Sequence, residues 1–215
     1  SYPATGGTSQ TTNGNSLAST VSSTVTRDLT DNYGLQNEVF YISYLVKWNT
    51  GGSVELKGFA TDGNPISPSS SVKLAARLQS DGAAGMELSA RATSYGTPTS
   101  VALTDGDTYL IVLQRNGGTT NVKLYQDTDV IPTDYNSIVW DATASGNSGL
   151  NLYRLQFVLN NVEVDELRLG STFASVTQGD GANYPSVKVI TSTTPSETFL
   201  YDGIDGDVLT NTKGI

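Results

Sequence analysis

The chain has no cysteine, no histidine and a single methionine among its 215 residues. Without thiol or imidazole it can build neither a thiolate zinc site nor a Ser-His-Asp triad or Cys-His pair. Its reactive groups are carboxylates, lysine, tyrosine and whatever metal oxygen donors can hold. Charge is sparse too, at 15% of residues, and unbalanced: 12 Lys plus Arg against 21 Asp plus Glu, a net charge of -9. Phosphate backbones and anionic membrane surfaces are repelled by that balance, so no nucleic-acid partner is expected. No apolar run reaches the roughly 18 residues of a membrane-spanning helix, and no membrane insertion is expected.

What is present is small and polar. Glycine occurs 22 times and the apolar share is 37%, a composition that fits secreted β-proteins. The absence of cysteine is compatible with an extracellular chain that needs no disulfide, because 215 residues can bury a sufficient core as one domain. The chain opens on Ser1, as the product of signal-peptide removal would, which points to an extracellular or cell-surface location.

Hydrophobic alternation has period two throughout, with no sustained helical period. Residues 1–16 hold almost nothing to bury and read as an extended arm. Strands are predicted over 20–29, 38–49, 52–61, 72–80, 86–94, 108–116, 119–127, 136–143, 149–159 and 161–169. The 38–49 run is apolar on both faces, as a central strand covered on both sides would be. Asn49-Thr50-Gly51-Gly52 reads as a turn between two strands, and Gly117-Gly118 as a two-residue hairpin turn. Residues 171–185 read as a loop, followed by strand candidates at 186–194 and 197–203. About a dozen short strands joined by glycine-rich turns predict an all-β fold, a two-sheet antiparallel sandwich with extended ends. The boundaries expected are an arm over 1–16, a sandwich over 17–177 and a C-terminal extension over 178–215.

Four stretches, VFYISYLVKW, DGDTYLIVLQRN, VKLYQD and LNLYRLQFVLNNVEVDELRLGSTFASV, together resemble the laminin-G-like, concanavalin-A-like jelly rolls of secreted bacterial proteins. The most specific piece is Val164-Asp165-Glu166-Leu167-Arg168-Leu169-Gly170 followed by Phe173 and Val176, which is similar to the closing strand of such domains. The resemblance covers residues 17–177 and implies a jelly-roll sandwich. Its functions span glycan binding, adhesion and matrix roles.

Glycoside hydrolases share that fold, so the run Glu163-Val164-Asp165-Glu166 needs weighing. Strict alternation puts Glu163 and Asp165 on one face and Glu166 on the other, which supplies half of a paired-carboxylate site. No enzyme is expected. Asp165 and Glu166 are instead expected to pair with Arg154 or Arg168, or to take backbone N–H groups from a turn. The resemblance implies calcium as a candidate ion, with no cofactor required; the acidic turns offering oxygen donors are Asp105 with Asp107, Asp127 with Asp129, and Asp202, Asp205 and Asp207. Acidic glycine turns are also common for conformational reasons alone.

A sugar site needs an aromatic face flanked by hydrogen-bonding side chains. Tyr95, Trp48, Trp140 and Tyr153 are the candidates, with Trp48 and Trp140 placed to pack in the core or at an edge and Tyr95 placed in an exposed turn. The terminal segments offer a different function: Ser186–Thr194 is β-branched and ends at Pro195, suiting a strand added to another copy's sheet edge. The expectation is a non-enzymatic structural subunit of an extracellular filament or matrix, assembled from copies of itself through its ends. The alternative is a lectin-like module that binds extracellular polysaccharide.

Overall fold

The computed structural model of the chain describes residues 2–3, 9–10, 17–33, 39–60, 72–81, 85–126, 129–132, 137–146, 152–177, 186–191 and 198–203. The strands in chain order are β1 (Tyr2–Pro3), β2 (Ser9–Gln10), β3 (Leu17–Ser19), β4 (Ser23–Tyr33), β5 (Val39–Ala60), β6 (Val72–Ser80), β7 (Met86–Arg91), β8 (Thr99–Val101), β9 (Thr108–Asn116), β10 (Thr119–Tyr125), β11 (Ala142–Ser145), β12 (Leu152–Gly170), β13 (Ser186–Thr191) and β14 (Thr198–Gly203). One short helix, α1 (Phe173–Thr177), follows β12.

Two long strands organise everything else. The first half of β5 pairs with β9 and with the second half of β12, while the second half of β5 pairs with β6 and the first half of β12. Layer one therefore runs β11-β10-β9-β5-β12-β3, and layer two runs β8-β7-β6-β5-β12-β4, all antiparallel. This is the all-β, two-layer antiparallel sandwich that the strand pattern predicts, of the jelly-roll type that the resemblance implies. The layers close on each other through alternate residues of β5 and β12: Phe40, Ile42, Tyr44, Val46, Val54 and Leu56 meet Leu155, Phe157, Leu159 and Val164 in one buried core. The Tyr44 and Phe157 rings meet edge to face with centroids 5.1 Å apart, a contact from layer one to layer two.

The apolar double face read over 38–49 has two coverings. Its inward side is the core; its outward side carries Tyr41, which meets Phe173 of α1 at 6.0 Å in a second cluster with Val112, Tyr125 and Val176. Burying a Phe or Val side chain of this kind contributes about 1.5–3 kcal/mol. The helix replaces part of the predicted 171–185 loop. Its first turn is held by Thr172, whose hydroxyl accepts the Ser175 N–H at 3.2 Å, and Ser43 Oγ donates to the Val176 carbonyl at 2.5 Å. Five residues are too few to display a helical period in sequence.

One predicted turn is a bend instead. Asn49–Gly52 does not reverse the chain; β5 passes through it from one layer to the other, and Asn161, at φ 48°, marks the matching corner in β12. Asn161 Nδ2 donates to the Thr50 carbonyl at 3.0 Å and ties the two corners together. The segment predicted as a strand over 136–143 is extended only from Ala142. Gly117, at φ 51°, forms the expected hairpin turn between β9 and β10. Beyond the sandwich, β13 pairs with β14 of the same chain.

Candidate functional site

A groove of about 410 Å³ opens on the outer face of layer one. Its floor is Ser43 and Leu45 from β5 with Thr108 and Leu110 from β9; Val176 and Thr177 end α1 along one side, and Tyr125, Gln126, Asp129 and Ile131 form another. The remaining wall, Glu166 and Arg168 of β12, is shaped by an irregularity in pairing. Asp165 stands opposite Leu45 and Arg168 opposite Ser43, so two β12 residues face the single β5 residue Tyr44. That is a β-bulge, and Glu166 occupies it at φ 50°, in the left-handed region that non-glycine residues seldom enter.

The bulge changes which side chains face outward. Leu167 turns into the core at 3% exposure, while Glu166 and Arg168 both reach the groove. Strict alternation, which sent Glu166 to the face opposite Glu163 and Asp165, fails at this point because the extra residue resets the phase of the strand. β12 lies one strand in from the edge of each layer, and from Asp165 to Gly170 its described pairing is with β5 alone. Arg168 Nη2 and Glu166 Oε2 form an ion pair at 2.7 Å, with the guanidinium mostly buried and the carboxylate half open. Asp165 Oδ1 accepts the Glu166 backbone N–H at 2.8 Å.

Tyr125 closes the inner end of the site. It is 4% exposed, and among the described residues its buried hydroxyl has no hydrogen-bond partner. Burial, with the carboxylates of Asp141 and Asp129 nearby, pushes its ionisation up to about 12. Asp141 holds the adjoining chain in place: one oxygen pairs with Lys123 Nζ at 2.7 Å and the other accepts the Leu124 N–H at 2.9 Å. Asp129 Oδ2 accepts the Gln126 N–H at 2.8 Å, fixing the turn that carries Gln126.

The aromatic candidates do not converge. Trp48 is a core residue at 3% exposure and presents no face to solvent. Trp140 packs half-buried against the outer cluster that includes Tyr125. Tyr153 lies half-buried with the Arg154 guanidinium 5.7 Å from its ring centre. Tyr95 is no exposed platform: it folds onto layer two, with Arg77 at 4.0 Å and Arg91 at 5.3 Å from its ring centre and its hydroxyl donating to Glu55 Oε1. Among the described residues Tyr125 is the groove's aromatic residue, and nothing in its local sequence singles it out.

The acidic turn of Asp105 and Asp107 is tied to the β5 corner by hydrogen bonds. Thr50 donates its N–H at 2.5 Å and its hydroxyl at 2.9 Å to Asp105 Oδ1, which holds that carboxyl below its ordinary range. The Asp107 carbonyl accepts the Trp48 N–H at 2.9 Å. Asp127, Asp205, Asp207 and the side chain of Asp202 lie outside the described residues. Among the described residues, no three carboxylates gather as a metal site would require.

No family model matches the chain, and no curated protein matches it. Among solved structures it is similar to a galectin of Caenorhabditis elegans, at 9% identity and TM-score 0.42, covering 70% of this chain and 91% of that one. It is also similar to a homodimeric agglutinin from chicken liver, at 12% identity and TM-score 0.40, covering 68% and 98%. A carbohydrate-binding module from Bacillus subtilis matches at 10% identity and TM-score 0.39, covering 73% and 91%. The likeness is one of strand arrangement.

Proposed function

We propose that this chain is a glycan-binding module that works outside the cell and holds a sugar unit in the layer-one groove. The observation that carries the reading is the division of the groove wall. Leu45, Leu110, Ile131 and Tyr125 offer apolar surface, while Gln126, Asp129, Glu166, Arg168, Thr108 and Thr177 offer hydrogen-bonding groups around it. A pyranose has the same division, C–H bonds on its faces and hydroxyls at its rim. Its hydroxyls both donate and accept, so the Glu166 carboxylate and the Arg168 guanidinium can serve neighbouring positions on one ring. The groove's volume lies within the range common for small-molecule sites.

The filament reading rests on a terminal strand offered to another copy. Ser186–Thr191 already spends one edge on Thr198–Gly203 of its own chain, so the groove, and not the tail, supplies the function proposed. Binding to a glycan array, followed by calorimetry on any hit, tests it. Arg168→Lys is expected to weaken binding about tenfold or more, because lysine cannot reproduce the guanidinium fork. Binding that is indifferent to Arg168→Lys and Gln126→Ala, or no bound glycan at all, would sink the proposal.

A further inference from the structure

The outer face of layer two, on the far side of the molecule from the groove, is a grid of charged side chains on β5, β6 and β7. Register places Glu55, Arg77 and Ser89 in one row across the three strands, and Lys57, Ala75 and Arg91 in the next. Tyr95 lies against both guanidiniums. The acceptors in this grid are Glu55 and Glu87, and both are committed. Glu55 takes Lys57 Nζ at 3.1 Å and the Tyr95 hydroxyl; Glu87 takes Gln79 Nε2 at 2.8 Å and Arg77 Nη2 at 3.8 Å. Arg91 also makes a side-chain hydrogen bond to Tyr95, yet among the described residues three polar atoms are left buried without a partner: Arg77 Nε, Arg91 Nε and Ser89 Oγ.

An unsatisfied buried donor costs about 1–3 kcal/mol, and native proteins tolerate few of them. Here three stand side by side, two on cations, so what the face lacks is an acceptor carrying negative charge. Cations outnumber carboxylates locally, with Lys57, Arg77 and Arg91 against Glu55 and Glu87, in a chain whose net charge is -9. That overall charge disfavours a long polyanion but not one anionic group. The Arg77 side chain is 27% exposed, so solvent reaches the grid. We propose that this face is a second ligand site, for a single oxyanion such as the carboxylate of a uronic acid residue or a sulfate group. Arg77 and Arg91 are its charged donors and Ser89 its hydroxyl. The Nε–H of each guanidinium and the Ser89 hydroxyl supply three donors for the oxygens of such a group.

The arginine Nε–H resonances report on this directly. Sodium sulfate, sodium glucuronate and glucose would each be titrated into the full chain at constant ionic strength, set with sodium chloride. A saturable shift of the Arg77 and Arg91 Nε–H signals with either anion, and none with glucose, is the expected result; which anion acts identifies the source of the oxyanion. Arg91→Gln is expected to weaken that binding about tenfold, and Ser89→Ala offers a milder second variant should Arg91→Gln fold poorly. No shift with either anion, or equal shifts with glucose, would overturn the proposal and leave water as the partner of these donors.

Discussion

Glu166 holds a backbone conformation that favours glycine, φ 50°, and carries the exposed half of the groove's ion pair. Such a conformation costs a non-glycine residue on the order of 1–3 kcal/mol. Glu166→Gly should therefore unfold at a temperature equal to or above that of the parent while binding the glycan more weakly. Glu166→Ala keeps the strain and loses the pair, so its melting temperature should fall slightly; an exposed pair contributes only about 0–1 kcal/mol. Thermal melts of the two variants side by side separate strain from charge. Two tyrosines give a second residue-scale prediction. Burial, assisted by neighbouring carboxylates, pushes Tyr95 and Tyr125 up to about 12. An unfolded chain ionises its tyrosines near pH 10. Below about pH 10 neither state has lost these protons and the stability is fully present; it declines as pH rises from there through about 12, because the unfolded chain releases protons that the folded one retains. Alkaline titration followed by tyrosinate absorbance should show a late-titrating fraction among the 11 tyrosines, reduced in Tyr95→Phe.

At the scale of elements, β5 and β12 each run through both layers, and the corner of β5 is tightly built. A Cβ on Gly52 would stand 2.8 Å from the carbonyl oxygens of Asn161 and Asn49 and from Val162 Cγ1. Gly52→Ala is expected to destabilise by about 1–3 kcal/mol, read from denaturant melts. The corner also shows why part of the fold was legible and part was not. Strand 72–80 and the 108–116 hairpin follow from alternation plus a turn that admits positive φ, both local properties. Asn49–Gly52 carries the same local signals as a hairpin turn, and only pairing with β12, more than a hundred residues away, makes it a bend. The break read between strands 149–159 and 161–169 is likewise a corner inside one continuous strand. At the groove, Asp165-Glu166 places two polar residues in succession between apolar neighbours, a break in alternation that announced the bulge. Tyr125 and Arg168, by contrast, are brought to two walls of one groove by packing that no local pattern encodes.

At the scale of the whole molecule, neither layer can come apart while the other stays, since each borrows half of β5 and half of β12. Unfolding of the sandwich should be a single transition, with circular dichroism and tryptophan fluorescence coinciding. Slowest amide exchange is expected along the central strands β5 and β12. Two separated transitions would mean that the corners at Gly52 and Asn161 act as hinges between independent units.

The sandwich's first strand, β3, lies antiparallel against the last, with Leu17 opposite Val164 and Ser19 opposite Val162. Leu17 thus stands at the end of the pair nearest to where β12 leaves the sheet. Tension applied at residues 17 and 177 would pull both strands from that one end, opening the ladder one hydrogen bond at a time instead of shearing all of them together. A molecule pulled in this way should yield at low force, a response that single-molecule stretching would read directly.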